Sequence, residues 1–303
     1  MMTGLSRWWI YQAERFPLVK TVPLLAMFSA ASLSVSAVLA GRPVPGFGAY
    51  LIGFGLVFLL FFQLRVCDEI KDAEDDRLYR PERPIPRGLV RLREVVILGT
   101  VTLPVTIALT LVWGSGLIWL LALVWLWLAL MTAEFGVPLW LKARPVLYLV
   151  SHMAIMPLIN LLVTGVEWLP HGAPHPALAW FVALSFANGC VLELGRKLWA
   201  VESERPGVDS YSRLWGPRRA TAAWLGFVVL SFGLLGGVGL AVGQGIVFAC
   251  IGLLGVGACL WAGLAYARTP DLRAEKRLDL VAGLWVFLCY ATAGFVPLAL
   301  RAG

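Results

Sequence analysis

Residues 51–76 read LIGFGLVFLLFFQLRVCDEIKDAEDD, an uncharged run from Leu51 to Leu64 that gives way to six acids and two bases within twelve residues. The first half is an apolar helix that fills most of a hydrocarbon core about 30 Å thick. The second half is a set of charges at its mouth. Working outward, comparable apolar runs occupy residues 17–40, 47–66, 94–113, 116–136, 145–165, 176–199, 220–241, 245–267 and 279–300. The sequence therefore predicts an all-α, polytopic membrane protein with nine spans and a single domain over residues 1–303. The composition agrees: 59% hydrophobic against 14% charged residues describes a chain whose solvent is mostly lipid.

Lys and Arg fix the expected sidedness. With the N-terminus in the cytoplasm, nine spans put 23 of these residues inside and leave only Arg42 and Arg301 outside. Cationic loops resist translocation, so this split favours an odd number of spans and a cytoplasmic N-terminus. The net charge of +7 then belongs to the cytoplasmic rim rather than to a nucleic-acid groove, and no nucleic-acid-binding module is present. Trp8, Trp9, Ile10 and Phe16, set among polar residues, predict an interfacial helix over residues 1–16 lying on the bilayer. Five cysteines without CxxC spacing are expected to pack as small apolar side chains.

Two long charged loops fall on the same expected face, one after the second span and one after the sixth. In the first, nothing between Gln63 and Arg80 breaks a helix, so Asp68, Asp72 and Asp76 stack on one face at i, i+4 and i+8. Like charges at that spacing repel, and the nearby Arg65 cannot alone balance three carboxylates and Glu69. A solvated helix end is one reading of such a run. Its position at the mouth of a membrane helix favours another, a site for a hard divalent cation. Mg²⁺ is bound by one or two carboxylates together with substrate phosphates.

The second loop begins with Glu193, Arg196 and Lys197 and continues through Glu202, Glu204 and Arg205. Two acidic mouths on one face can hold metal between them. The surrounding cations Lys71, Arg80, Arg83, Lys142, Arg144, Arg196 and Lys197 supply donors for an anion that the metal also contacts. A diphosphate on a lipid tail has that chemistry.

These elements resemble the UbiA superfamily of intramembrane prenyltransferases. Its first signature, N-x-x-x-D-x-x-x-D followed by R-P-[LI]-P-x-G, is similar to Asp68, Asp72 and Asp76 followed by Arg83-Pro84-Ile85-Pro86-Arg87-Gly88. Its second, G-x-x-S-x-x-x-L-x-G, is similar to the stretch from Gly207 through Ser210 and Leu214 to Gly216. Asp68 replaces the usual Asn, and Glu193, with Glu202 and Glu204 beyond it, stands where aspartates are usual. Lys197 occupies the place of a further acid and is a candidate to bind diphosphate directly. The resemblance implies a ring of nine helices around a central cavity, a prenyl diphosphate donor, an acceptor, and Mg²⁺-assisted ionisation of the donor. Asp68, Asp72, Asp76, Glu193 and Lys197 are the implied catalytic residues, and Asp68, Asp72, Asp76, Glu193, Glu202 and Glu204 the implied metal ligands. Arg65, Lys71, Arg80, Arg83, Lys142, Arg144 and Arg196 are the implied diphosphate binders.

Other polar residues carry weaker expectations. Glu134 is a candidate to orient a basic group or an acceptor, or to form a simple ion pair. Gln63, His152, Asn160 and Asn188 are expected in interhelical hydrogen bonds. Trp113, Trp119, Trp125, Trp127, Trp140 and Phe135 are candidate chamber walls. A terpene cyclase of the same fold shares the first chemical step, whereas a secondary transporter calls for paired acids near the bilayer midplane. The acids here lie at one membrane face.

Overall fold

The computed structural model describes residues 4–302, and among these the secondary structure is helical, with no strand. The helices are α1 (Gly4–Arg15), α2 (Leu18–Leu39), α3 (Phe47–Lys71), α4 (Ala73–Tyr79), α5 (Leu92–Trp113), α6 (Leu117–Thr132) and α7 (Pro138–Lys142). They are followed by α8 (Pro145–Met153), α9 (Ile155–Trp168), α10 (Leu178–Gly195), α11 (Tyr211–Trp215), α12 (Pro217–Ala241), α13 (Gly245–Arg268) and α14 (Leu272–Ala302).

Eight helical segments among the described residues are long and apolar enough to cross a membrane, with α8 and α9 counted together from Pro145 to His171. The remaining expected span is α6, whose 16 residues rise about 24 Å at 1.5 Å each. It still holds its place in the bundle. In chain order α2, α3, α5, α6, α9, α10, α12, α13 and α14 each pack on the next, and α14 returns to α2. The helices therefore close into a ring. Additional contacts of α2 with α9 and of α10 with α14 run inside that ring, so α2 and α10 are its most enclosed members.

Small side chains make these contacts possible. α2 buries Ser29, Ser32, Ser34 and Ser36, and Gly294 of α14 sits so near that a Cβ there would lie 2.6 Å from the Ala31 Cα. Close backbone approach supplies the packing that lipid, being as apolar as leucine, does not drive by itself.

Three departures from the predicted spans bear on the site. α3 does not run unbroken into α4. The ladder bonds persist, with Asp72 N–H donating to Asp68 O and Asp76 N–H to Asp72 O at 2.9 and 2.8 Å, but Asp72 itself relaxes to φ −88°, ψ 0°. α6 stops at Thr132, four residues short of the expected end, because Glu134, Phe135 and Gly136 take φ of 51°, 54° and 74°. The fifth span is divided at Ala154 between α8 and α9.

The expected N-terminal segment is helical as α1; its residues 1–3 lie outside the described residues. Tyr11 and Trp8 pack toward Val66 and Val95, whereas Leu5 and Trp9 are exposed. At the end of the bundle away from the motif loops, Arg42 donates to Glu167 at 2.6 and 2.8 Å, and Ser36 donates to the same carboxylate at 2.6 Å.

Candidate active site

The first motif is built around α3 and α4. Asp72 sits at the joint between them, and its carboxylate makes no hydrogen bond or ion pair within contact distance among the described residues. Burial, and then the neighbouring charge of Asp68, push its carboxyl above the usual carboxylate range. Asp68 is held only loosely, 3.5 Å from the Arg65 guanidinium. Of the two adjacent carboxylates, Asp72 has no ion-pair partner and Asp68 has Arg65 alone, in a site otherwise rich in cations.

Asp76 is different. Arg83 Nη1 donates to its two oxygens at 2.7 and 2.6 Å, and Arg15 and Arg80 each stand 3.7 Å away. Its carboxylate is enclosed by three guanidiniums, leaving it to anchor the loop that carries Pro84 and Gly88. Arg15 also donates to Glu69 at 2.6 Å, and Arg87 is held by Glu14. The N-terminal helix is thereby tied to the first motif by ion pairs, a relation the charge pattern could show only in three dimensions.

At the end of α10, Glu193 is paired with Lys197 at 2.9 Å and Arg196 at 2.5 Å. The electrostatic influence of Lys197 reaches Asp72, and that of Asp68 reaches Arg196. The two helix mouths therefore face one another across the site. Glu202 is exposed. Glu204 accepts hydrogen bonds from Ser210 at 2.6 and 2.7 Å and from Ser212 at 2.6 Å, while Ser210 also caps α11 by accepting from Arg213 N–H. The serine of the second motif is thus a loop organiser that uses Glu204 as its partner.

The loops interlock. Gly207, at φ +74°, lies against the Tyr79 ring where any Cβ would collide. Arg205 is paired with Glu82, and Arg80 lies over the Trp199 ring at 5.8 Å. Lys142 reaches only Asp75, at 3.8 Å on the surface. Arg144 folds over Trp140 at 4.2 Å. Neither is brought to the carboxylates.

Sequence reasoning left one group almost unread. Lys71 Nζ donates to the Tyr148 hydroxyl at 2.7 Å, which donates to Glu134 Oε1 at 3.2 Å. Tyr148 belongs to no motif and was missed; a lone tyrosine in an apolar span gives no signal until Lys71 meets it. Of the span polar residues, Gln63 does bridge helices, donating to Thr102 and Thr106 and accepting from Trp125. Asn188 accepts from Ser231. Trp119 and Trp140 are exposed rather than inward.

With this geometry in place, a family comparison decides the lineage: the model of the UbiA prenyltransferase family matches residues 24–290. The chain belongs to the UbiA prenyltransferase family. Two solved structures share the fold of this UbiA protein. One, described as an apo structure of a UbiA homolog from Aeropyrum pernix K1, has a TM-score of 0.69 at 17% identity, covering 92% of this chain and 98% of that one. The other, from work on digeranylgeranylglyceryl phosphate synthase in membranes, has a TM-score of 0.59 at 16% identity, covering 95% and 99%. No curated protein matches the sequence. Membership places the chain among intramembrane prenyltransferases.

The residues can also be tested against the family's Mg²⁺. No three of His, Cys, Asp and Glu among the described residues gather as a protein-only metal group. A site that borrows phosphate oxygens from its ligand does not need three. Asp72, which is unpaired, and Asp68, which has Arg65 alone at 3.5 Å, fit that requirement.

Proposed function

We propose that this UbiA protein transfers a prenyl group from a prenyl diphosphate to an acceptor within the membrane, at a site opening toward the cytoplasm. The observation that carries this reading is the pair of carboxylates Asp72, without an ion-pair partner, and Asp68, whose one partner is Arg65 at 3.5 Å, with the charges of Lys71, Arg196 and Lys197 acting on them from two helix mouths. Asp68 and Asp72 would hold Mg²⁺, which supplies Lewis-acid neutralisation of charge on phosphate oxygens. Glu193, paired with two cations, acts in this reading by fixing Arg196 and Lys197 rather than as a ligand.

The chain's own groups account for the rest. Arg65, Lys71, Arg196 and Lys197 bind and orient the diphosphate, and their charge favours the state in which it departs with the electron pair of the allylic C–O bond. Arg80 and Arg83 hold the first loop through Asp76. The surrounding apolar helices exclude water from the allylic cation until the acceptor attacks it. The 23-to-2 distribution of Lys and Arg supports the cytoplasmic orientation.

The deciding experiment measures diphosphate release from a panel of prenyl diphosphates, with and without Mg²⁺ and candidate acceptors, followed by mass analysis of the lipid product. Mg²⁺-dependent release that disappears in Asp72→Ala is the expected result. Full activity in that variant would remove the basis of the proposal.

A further inference from the structure

Glu134 and His152 are both 5% exposed, and each keeps one polar atom without a hydrogen-bond partner. Glu134 Oε1 receives Tyr148 and Lys71, at 3.2 and 3.3 Å, whereas Oε2 receives nothing. His152 Nδ1 lies 2.9 Å from the Tyr148 carbonyl oxygen. A carbonyl only accepts, so Nδ1 carries the hydrogen, and Nε2 of the neutral ring is a bare lone pair. Both orphaned atoms are therefore acceptors. A buried acceptor left unmet costs about 1–3 kcal/mol, which gives the site an appetite for donors.

The backbone is strained to put them there. Glu134 and Phe135 hold φ of 51° and 54°, a left-handed conformation that costs a side-chain-bearing residue about 1–2 kcal/mol. Such strain persists where the surroundings over-determine it, and it concentrates at functional sites. Aromatic rings flank His152: Tyr148 stacks on it at 4.0 Å and 13°, and Phe135 stands edge-on to it and to Trp127.

The position ties this group to the diphosphate site. Lys71 belongs to both, touching Tyr148 and Glu134 on one side and feeling the charge of Asp68 on the other. Glu193 acts electrostatically on His152 as well. One half of the combined site offers cations to an anion. The other half offers lone pairs and one carboxylate.

We propose that Glu134 and His152 form a subsite for an uncharged acceptor that presents hydroxyl groups, and that they discriminate against acceptors bearing a carboxylate. The assignment to an acceptor rests on the prenyl-transfer reading above; the preference for O–H donors does not. A hydroxyl satisfies Oε2 or Nε2. A carboxylate brings only lone pairs, and sets its charge against that of Glu134.

The test is equilibrium binding of two probes to the full-length protein in lipid nanodiscs: hydroquinone and 4-hydroxybenzoate, which differ by a hydroxyl in place of a carboxylate. Hydroquinone is expected to bind the unaltered protein at least tenfold tighter. Glu134→Gln turns Oε2 into a donating amide while keeping an Oε1 acceptor for Tyr148, and should shrink that ratio to near one or reverse it. His152→Phe keeps the stack on Tyr148 and should weaken hydroquinone about tenfold. Equal affinities in the unaltered protein, which depend on no variant folding, would overturn the proposal, as would a ratio that Glu134→Gln leaves unmoved. A merely structural Glu134 would weaken both probes together. Prenyl diphosphate binding, measured separately, distinguishes failure of the donor reading from failure of this one.

Discussion

Arg83 Nη1 lies 2.6 and 2.7 Å from the two carboxylate oxygens of Asp76, so the last acid of the first motif is neutralised by the arginine of the R-P-I-P turn seven residues later. The two halves of the motif are thus one unit, an acid in α4 and the cation that bends the following loop back over it. Removing the acid exposes three arginines to one another. Breaking a buried ion pair from one side costs about 3–5 kcal/mol. Asp76→Asn is expected to lower the melting temperature clearly and to reduce turnover through the loop, while Mg²⁺ still stabilises whatever folds. Thermal unfolding with and without Mg²⁺ checks both parts.

Asp72 gives the opposite signature. Burial and Asp68 hold its folded-state carboxyl above its ordinary range, so the ionised form is the one the fold disfavours, and its penalty grows as pH rises through the unfolded value. Asp72→Asn is expected to match or exceed the parent in metal-free stability near neutral pH and to lose the response to Mg²⁺. In the parent protein, Mg²⁺ at ten times its dissociation constant should add about 1.4 kcal/mol. A metal-free Asp72→Asn that melts well below the parent would contradict this placement.

Gly207 is required twice over, by its φ of +74° and by the Tyr79 ring against it. Gly207→Ala is expected to lose stability through left-handed strain of about 1–2 kcal/mol and a further steric part. Adding Tyr79→Ala should restore the steric part alone. Melting temperatures of the two single variants and the double variant give the coupling directly; strict additivity would mean that the loops do not meet here.

Arg42 and Glu167 lie far from the motif loops, and Glu167 is buried at 6% exposure. Arg42→Ala strands that carboxylate with Ser36 as its remaining partner, at an expected loss of about 3 kcal/mol. Diphosphate release per folded molecule should stay unchanged. A fall in turnover without a fall in stability would point to coupling between the two ends of the bundle.

Much of this protein is decided before it folds. Apolar runs of membrane length dictate helices, because a backbone in lipid must satisfy its own hydrogen bonds, and the limits of α2, α5 and α13 follow the hydropathy to within two residues. The acids at the end of α3 and the cations after α10 were legible as opposite charges crowded at helix mouths. What sequence spacing could not do was assign partners. Asp68, Asp72 and Asp76 are alike in sequence, yet Arg15 and Arg83 arrive from other turns of the chain to claim only Asp76. Glu204 is likewise taken by Ser210 and Ser212, and the left-handed turn that shortens α6 carries Glu134 to Lys71. Periodicity is a local property set by solvent and hydrogen bonding along one segment. The choice of which charge meets which is made by ring closure, which brings together residues that the chain keeps far apart.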